Sequence, residues 1–253
     1  MLERGTNAAW NRQNRKGRFL LVVDSDSDHR YFISMLLQRF GYKTFTANTV
    51  KEALAMTAVT VPSLIFISTG LKDMNSIEFL QLLNHNPSTA YVPLIFMRKA
   101  DDVIGEAQCF EQGAVDCLSK PVSVEQLYSV VQKTLELTPR AYLRIKTMLP
   151  VQAGEMPHEC LDNAYTTDLS EGGMFVRTQK PASVNTRLSC QIHMFEQAIQ
   201  IDAVVLYRNR ASGGIYPESG MGLQFNRIAP KNQELIRRFI RNEITRGIPS
   251  AHA

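Results

Sequence analysis

The alternation of apolar and polar positions changes rhythm once along the chain, near residue 137. Before that point, apolar runs of strand length alternate with helical patterns. FLLVVD (19–24) is followed by RYFISMLLQRFGY, where Phe32, Ile33, Leu36, Leu37 and Phe40 recur at helical spacing and Gly41 supplies a stop. The unit returns as KTFTA with VKEALAMTAV, SLIFIS with a helix near 75–85, VPLIFM with DDVIGEAQCFEQGA, and VDCLS with VEQLYSVVQKTLEL. Five such units predict an α/β doubly wound, five-stranded parallel sheet with helices on both faces.

After Leu137 the helix breaks at Pro139 and short strands take over. The candidates are AYLRIKTMLPVQ, ECLDNAYTTDLS, GMFVRT, RLSCQIHM, QAIQIDAVVLY and MGLQF, separated by turn-rich stretches such as KPASVN and RASGGIYPESG. Six strands of this kind predict a small antiparallel β-barrel, which leaves no exposed edge. PKNQELIRRFIRNEITRG closes the chain as a helix that packs Leu235, Ile236, Phe239 and Ile240 and leaves Arg237, Arg238 and Arg241 in solvent. The expected domains are therefore 1–18, a disordered basic arm; 19–137, the sheet; and 138–253, the barrel with its helix.

Composition narrows the chemistry. Apolar residues make up 44% and charged residues 21% of the 253, as in globular proteins. No run reaches the length of a membrane span and the N-terminus lacks the apolar block of a secretory signal, so the protein reads as cytoplasmic. Cys109, Cys117, Cys160 and Cys190 show no CxxC spacing and are expected to be reduced thiols. The five histidines form no HxxxH pair, and His158, Glu159 and Cys160 make a poor metal cluster, so no metal site and no catalytic cofactor is expected. Residues 1–18 carry Arg4, Arg12, Arg15, Lys16 and Arg18 against Glu3, which accounts for the whole net charge of +4. The body of the protein is close to neutral, and the arm reads as a solvated tail.

In a parallel sheet the carboxyl ends of the strands converge on one edge. Here that edge carries Asp24, Ser68, Arg98 and Lys120. VVDSD, the SLIFISTG ending and GAVDCLSKP match, in order and spacing, the landmarks of bacterial response regulators, and residues 19–137 resemble their receiver domain. The resemblance implies a pair of acids after strand one and a third after strand three that bind Mg²⁺, the third accepting a phosphoryl group. This chain keeps Asp24 but has Ser25 and Ser68 in the other two places, with Arg98 and Cys117 at the switch positions. A serine is no substitute nucleophile without a base beside it, and no histidine lies at a strand end. The expectation is a degenerate receiver pocket in which Arg98 pairs with Asp24, with one of the three expected negative charges left unless Asp26 swings in. What the resemblance leaves is contact with a protein partner, homodimerisation included.

The second half holds two short constellations, RAYLR (140–144) and DLSEGG (168–173), followed by GMGLQF (220–225). In this order they resemble the PilZ domain, whose ligand is the bacterial messenger cyclic di-GMP. The chemistry agrees: guanine O6 and N7 and the phosphates suit the forks of Arg140 and Arg144, and Asp168 can accept from guanine N–H groups. Ser170 adds a hydrogen bond, and Gly172 and Gly173 let the backbone approach the ligand. The resemblance implies a non-catalytic receptor or adaptor in which ligand bound at the barrel and linker reorients the receiver. Two rivals are a phosphorylation-controlled regulator using Asp26 or Asp73, and a DNA-binding regulator using the basic arm. The second is disfavoured because no helix-turn-helix follows the receiver.

Overall fold

Strand β1 (Phe19–Val23) is an interior strand of the first sheet, and its apolar residues are buried on both faces apart from Phe19. The sheet continues as β2 (Lys43–Ala47), β3 (Leu64–Ser68), β4 (Leu94–Arg98) and β5 (Asp116–Ser119). All pairings are parallel, in the order β2-β1-β3-β4-β5, so the expected doubly wound sheet is what forms. The computed structural model describes residues 18–99, 102, 105–154, 164–209 and 219–249. They fall into two units, one made of the residues up to Ala141 together with those from Gly247 on, the other of Tyr142–Arg246.

Helices α1 (Ser27–Arg39), α2 (Val50–Val59), α3 (Ser76–His85), α4 (Glu106–Glu111) and α5 (Val124–Leu135) connect the strands. Four of them start on a side chain that accepts from the first turn: Asp26, Thr49, Asn75 and Ser123. The Asp26 cap starts α1 at Ser27, three residues before Arg30 and five before Phe32, the first of the periodic apolar positions. Helix α4 is shorter than DDVIGEAQCFEQGA suggests, starting after Gly105 without a side-chain cap and ending before Gly113, whose φ is +96°. Leu21, Val23, Ile65, Ile67, Phe79 and Phe96 form the centre of the core, with Cys109 buried among them.

The second unit is a closed antiparallel barrel of β6 (Ile145–Gly154), β7 (Tyr165–Ser170), β8 (Gly173–Arg177), β9 (Arg187–Met194), β10 (Gln197–Asn209) and β11 (Gly220–Arg227). Its circular order is β10-β11-β8-β7-β6-β9, and β9 alternates in and out along its length. The C-terminal helix α6 (Pro230–Thr245) buries Leu235, Ile236, Ile240 and Ile244. Phe239 is half-buried, edge-on to Phe195 at 5.8 Å. The expected arm, Cys160 and the His158 cluster lie outside the described residues, apart from Arg18.

Candidate functional site

At the strand edge of the first sheet, Asp24 is 1% exposed and its carboxylate is fully engaged. Oδ1 accepts from the Asp26 amide at 3.1 Å, while Oδ2 lies 2.6 Å from both His29 Nδ1 and Lys120 Nζ. Lys120 also donates to Ser68 Oγ at 2.9 Å. The ion pair expected between Arg98 and Asp24 is therefore made by Lys120 instead. Its unbranched stem carries a compact ammonium past Ser68, whereas the planar guanidinium of Arg98 turns back and donates to the Lys99 carbonyl at 3.3 Å. Arg98 Nε is buried and has no hydrogen-bond partner among the described residues.

Burial pushes the Asp24 carboxyl up, but the bonds and charges of His29 and Lys120 reverse this and hold it below the usual carboxylate range. Asp26 is spent on the helix cap, accepting from the Asp28 and His29 amides at 3.0 Å each, and does not swing in. Asp73, the other rival acceptor, is exposed and accepts from the Lys51 amide at 3.1 Å. Ser25 is exposed rather than turned into the pocket. Magnesium prefers charged oxygen ligands. One carboxylate, already matched by an ammonium, with a serine in place of the acceptor, does not fit that ion.

His29 is the residue that sequence reasoning missed. With the helix start placed at Arg30 it falls in a loop; with Asp26 as cap it becomes the third helical residue, turned inward and 4% exposed. An acid two residues after the strand-end carboxylate, in helix-cap position, is the signal that would have found it. Cys109, Cys117 and Cys190 are free cysteines, the first two with sulfurs 3.0 Å apart, and burial followed by the charge of Asp202 pushes the Cys190 thiol up to about 12.

In the barrel, the two constellations are joined by strand register. Ile145 pairs with Leu169 and Lys146 with Asp168 in the β6–β7 ladder, so Arg144 stands one residue beyond, at the end where DLSEGG turns. Arg144 is exposed. Asp168 accepts from Lys146 Nζ at 2.7 Å, a pair open to solvent. Ser170 and Gly173 pair across a two-residue hairpin, and Ser170 Oγ, itself buried, donates to the Gly173 carbonyl at 3.0 Å. The serine therefore closes the turn.

The glycines also answer to the fold. A Cβ at Gly173 would lie 2.3 Å from the Leu223 carbonyl oxygen on the neighbouring strand, and one at Gly172 would lie 2.8 Å from the ring of Tyr142. Arg237, expected in solvent, reaches back from α6 to this turn. Its Nε and one terminal nitrogen both donate to Glu171 Oε2, at 3.1 and 2.9 Å, and the other donates to Glu234 at 2.7 Å. The bond and charge of Glu171 raise the Arg237 pKa. Arg238 lies 4.7 Å from the Phe195 ring centroid. Arg140 belongs to the first unit, where its amide donates to Gln132 Oε1 at 3.1 Å.

Among the described residues there is no cluster of three or more metal-ligating side chains, and no helix is long and apolar enough to cross a membrane. A family model for the response regulator receiver domain matches residues 20–132, and one for the PilZ domain matches residues 138–242. A probable cyclic di-GMP phosphodiesterase of Vibrio cholerae is 32% identical over 117 residues, covering 46% of this chain and 26% of that protein. The phosphate regulon transcriptional regulatory protein PhoB of Pseudomonas aeruginosa is 27% identical over 122 residues, covering 48% of this chain and 53% of that protein. The matches thus span about a quarter to a half of these relatives' own length. Similar solved structures include a response regulator from Chloroflexus aurantiacus, at 24% identity, 47% of this chain, 97% of that one and a TM-score of 0.45. A chemotaxis response regulator of Vibrio cholerae matches at 24% identity, 47% and 98% coverage and a TM-score of 0.44. The chain joins a response regulator receiver domain, over residues 20–132, to a PilZ domain, over residues 138–242.

Proposed function

We propose that this protein is a cytoplasmic cyclic di-GMP receptor that works as an adaptor, with the nucleotide held on the PilZ domain and the receiver serving as a phosphorylation-independent surface for a protein partner. One observation carries the reading: the β6–β7 register brings the end of RAYLR to the turn of DLSEGG, so an exposed arginine and an accessible carboxylate stand at the same end of the barrel. Arg144 supplies a fork for guanine O6 and N7 or for a phosphate, and Asp168 accepts from the N–H groups on the opposite edge of a base. The Lys146 ammonium beside Asp168 adds a positive charge suited to the phosphates.

Arg140 lies four residues earlier in the chain, so a ligand held by both arginines also holds the segment joining the domains. Differential binding of about 1.4 kcal/mol is enough to shift a two-state arrangement tenfold, and one charge-assisted hydrogen bond supplies roughly 1.5 to 3 kcal/mol. In the receiver, the charge balance between Asp24 and Lys120 supports a phosphorylation-independent role. The test is calorimetric titration with cyclic di-GMP beside the Arg140→Ala, Arg144→Ala double variant. Saturable binding that the variant loses is the expected result. Equal binding by both proteins, or by neither, sinks the reading.

A further inference from the structure

Tyr142 lies between the two arginines of RAYLR, and Gly172 lies between Ser170 and Gly173 of DLSEGG. The two positions meet in the fold. A Cβ built at Gly172 would stand 2.8 and 2.9 Å from two ring carbons of Tyr142, nearer than real Cβ atoms come to their neighbours. Gly172 is not in the left-handed region, so the backbone there does not demand glycine; the ring does.

The turn beneath the ring is held from three directions. Ser170 bonds to the Gly173 carbonyl, the Phe225 amide donates to the Gly172 carbonyl at 3.0 Å, and Arg237 grips Glu171. Tyr142 nonetheless remains 44% exposed. A large aromatic side chain set against a fixed turn and still half open has surface to offer. It stands two residues before Arg144, at the barrel end where β6 meets the Asp168 strand.

We infer that Tyr142 is a base-stacking residue of the nucleotide site: its ring rests against Gly172 and presents its open surface to one guanine, whose edges are read by Arg144 and Asp168. This rests on the receptor reading above. Aromatic stacking suits a purine because it uses the π-face and leaves the base edges to the hydrogen-bonding groups.

The experiment is calorimetry with cyclic di-GMP, together with ultraviolet hypochromism of the guanine band, on wild type, Tyr142→Phe, Tyr142→Leu and Gly172→Ala. Tyr142→Phe keeps the ring and is expected to bind within about threefold of wild type. Tyr142→Leu is expected to bind about ten- to a hundredfold more weakly and to lose the hypochromic change. Gly172→Ala is compatible with the backbone but pushes the ring from its place, so it is expected to weaken binding in the same direction without touching Tyr142. Combining it with Tyr142→Leu should add little. Wild-type affinity in Tyr142→Leu, or leucine as good as phenylalanine, overturns the stacking role while leaving the receptor intact. No saturable binding by wild type overturns the receptor reading and this inference with it.

Discussion

Asp24 and Asp168 each hold a lysine ammonium, at 2.6 and 2.7 Å, yet they make opposite kinds of site. Around Asp24 the partners are sealed, the two side chains being 1% and 11% exposed. Around Asp168 they are open, at 25% and 60%. Breaking a buried pair strands a charge in the interior and costs several kcal/mol, whereas an exposed pair is worth about 0 to 1 kcal/mol and yields to a competitor. Burial therefore turns the same two functional groups into a structural plug in the receiver and a displaceable contact in the barrel.

The largest effect is expected from Lys120→Met. Removing the cation leaves Asp24 buried against His29 alone, and urea unfolding should show a loss of about 3 to 5 kcal/mol. A loss below 1 kcal/mol would mean that the pocket is as relaxed as the barrel turn. Next in size, Arg144→Ala should weaken cyclic di-GMP binding by about 10- to 150-fold in calorimetry, while leaving urea stability within about 0.5 kcal/mol. Lost stability instead of lost affinity would make Arg144 a structural residue.

A smaller effect is expected from acid. The Asp24 pKa is depressed in the folded protein, so its contribution is complete above the ordinary value of about 3.9 and is lost as the pH falls through the lower folded value. Stability followed against pH should drop in that window, and Asp24→Asn should flatten the drop. Smallest of all, Lys146→Ala should change cyclic di-GMP affinity by less than about fivefold, since the pair it removes is exposed. A change of a hundredfold would show that Lys146 holds the ligand itself.

Much of this was legible in the residues. The strands SLIFIS and RLSCQIHM needed only periodicity, because a buried parallel strand and a half-buried barrel strand carry different apolar patterns. The departures at Ser25, Ser68, Arg98 and Cys117 were legible too. Pairing was harder. That Lys120 and not Arg98 reaches Asp24, and that His29 turns inward, depends on where α1 starts and on side-chain reach across the sheet edge. Arg237 looked like a solvated face because nothing in α6 says that Glu171 lies opposite.

The run of strands and helices, the two kinds of domain and the missing acids follow from hydrophobic period and residue chemistry, which are local properties of the chain. It takes the folded chain to show which cation neutralises Asp24, why Gly173 must lack a Cβ beside the Leu223 carbonyl, and that Tyr142 lies against Gly172. Those facts arise where segments far apart in the chain come within a few ångströms, and steric exclusion and charge matching act at that range.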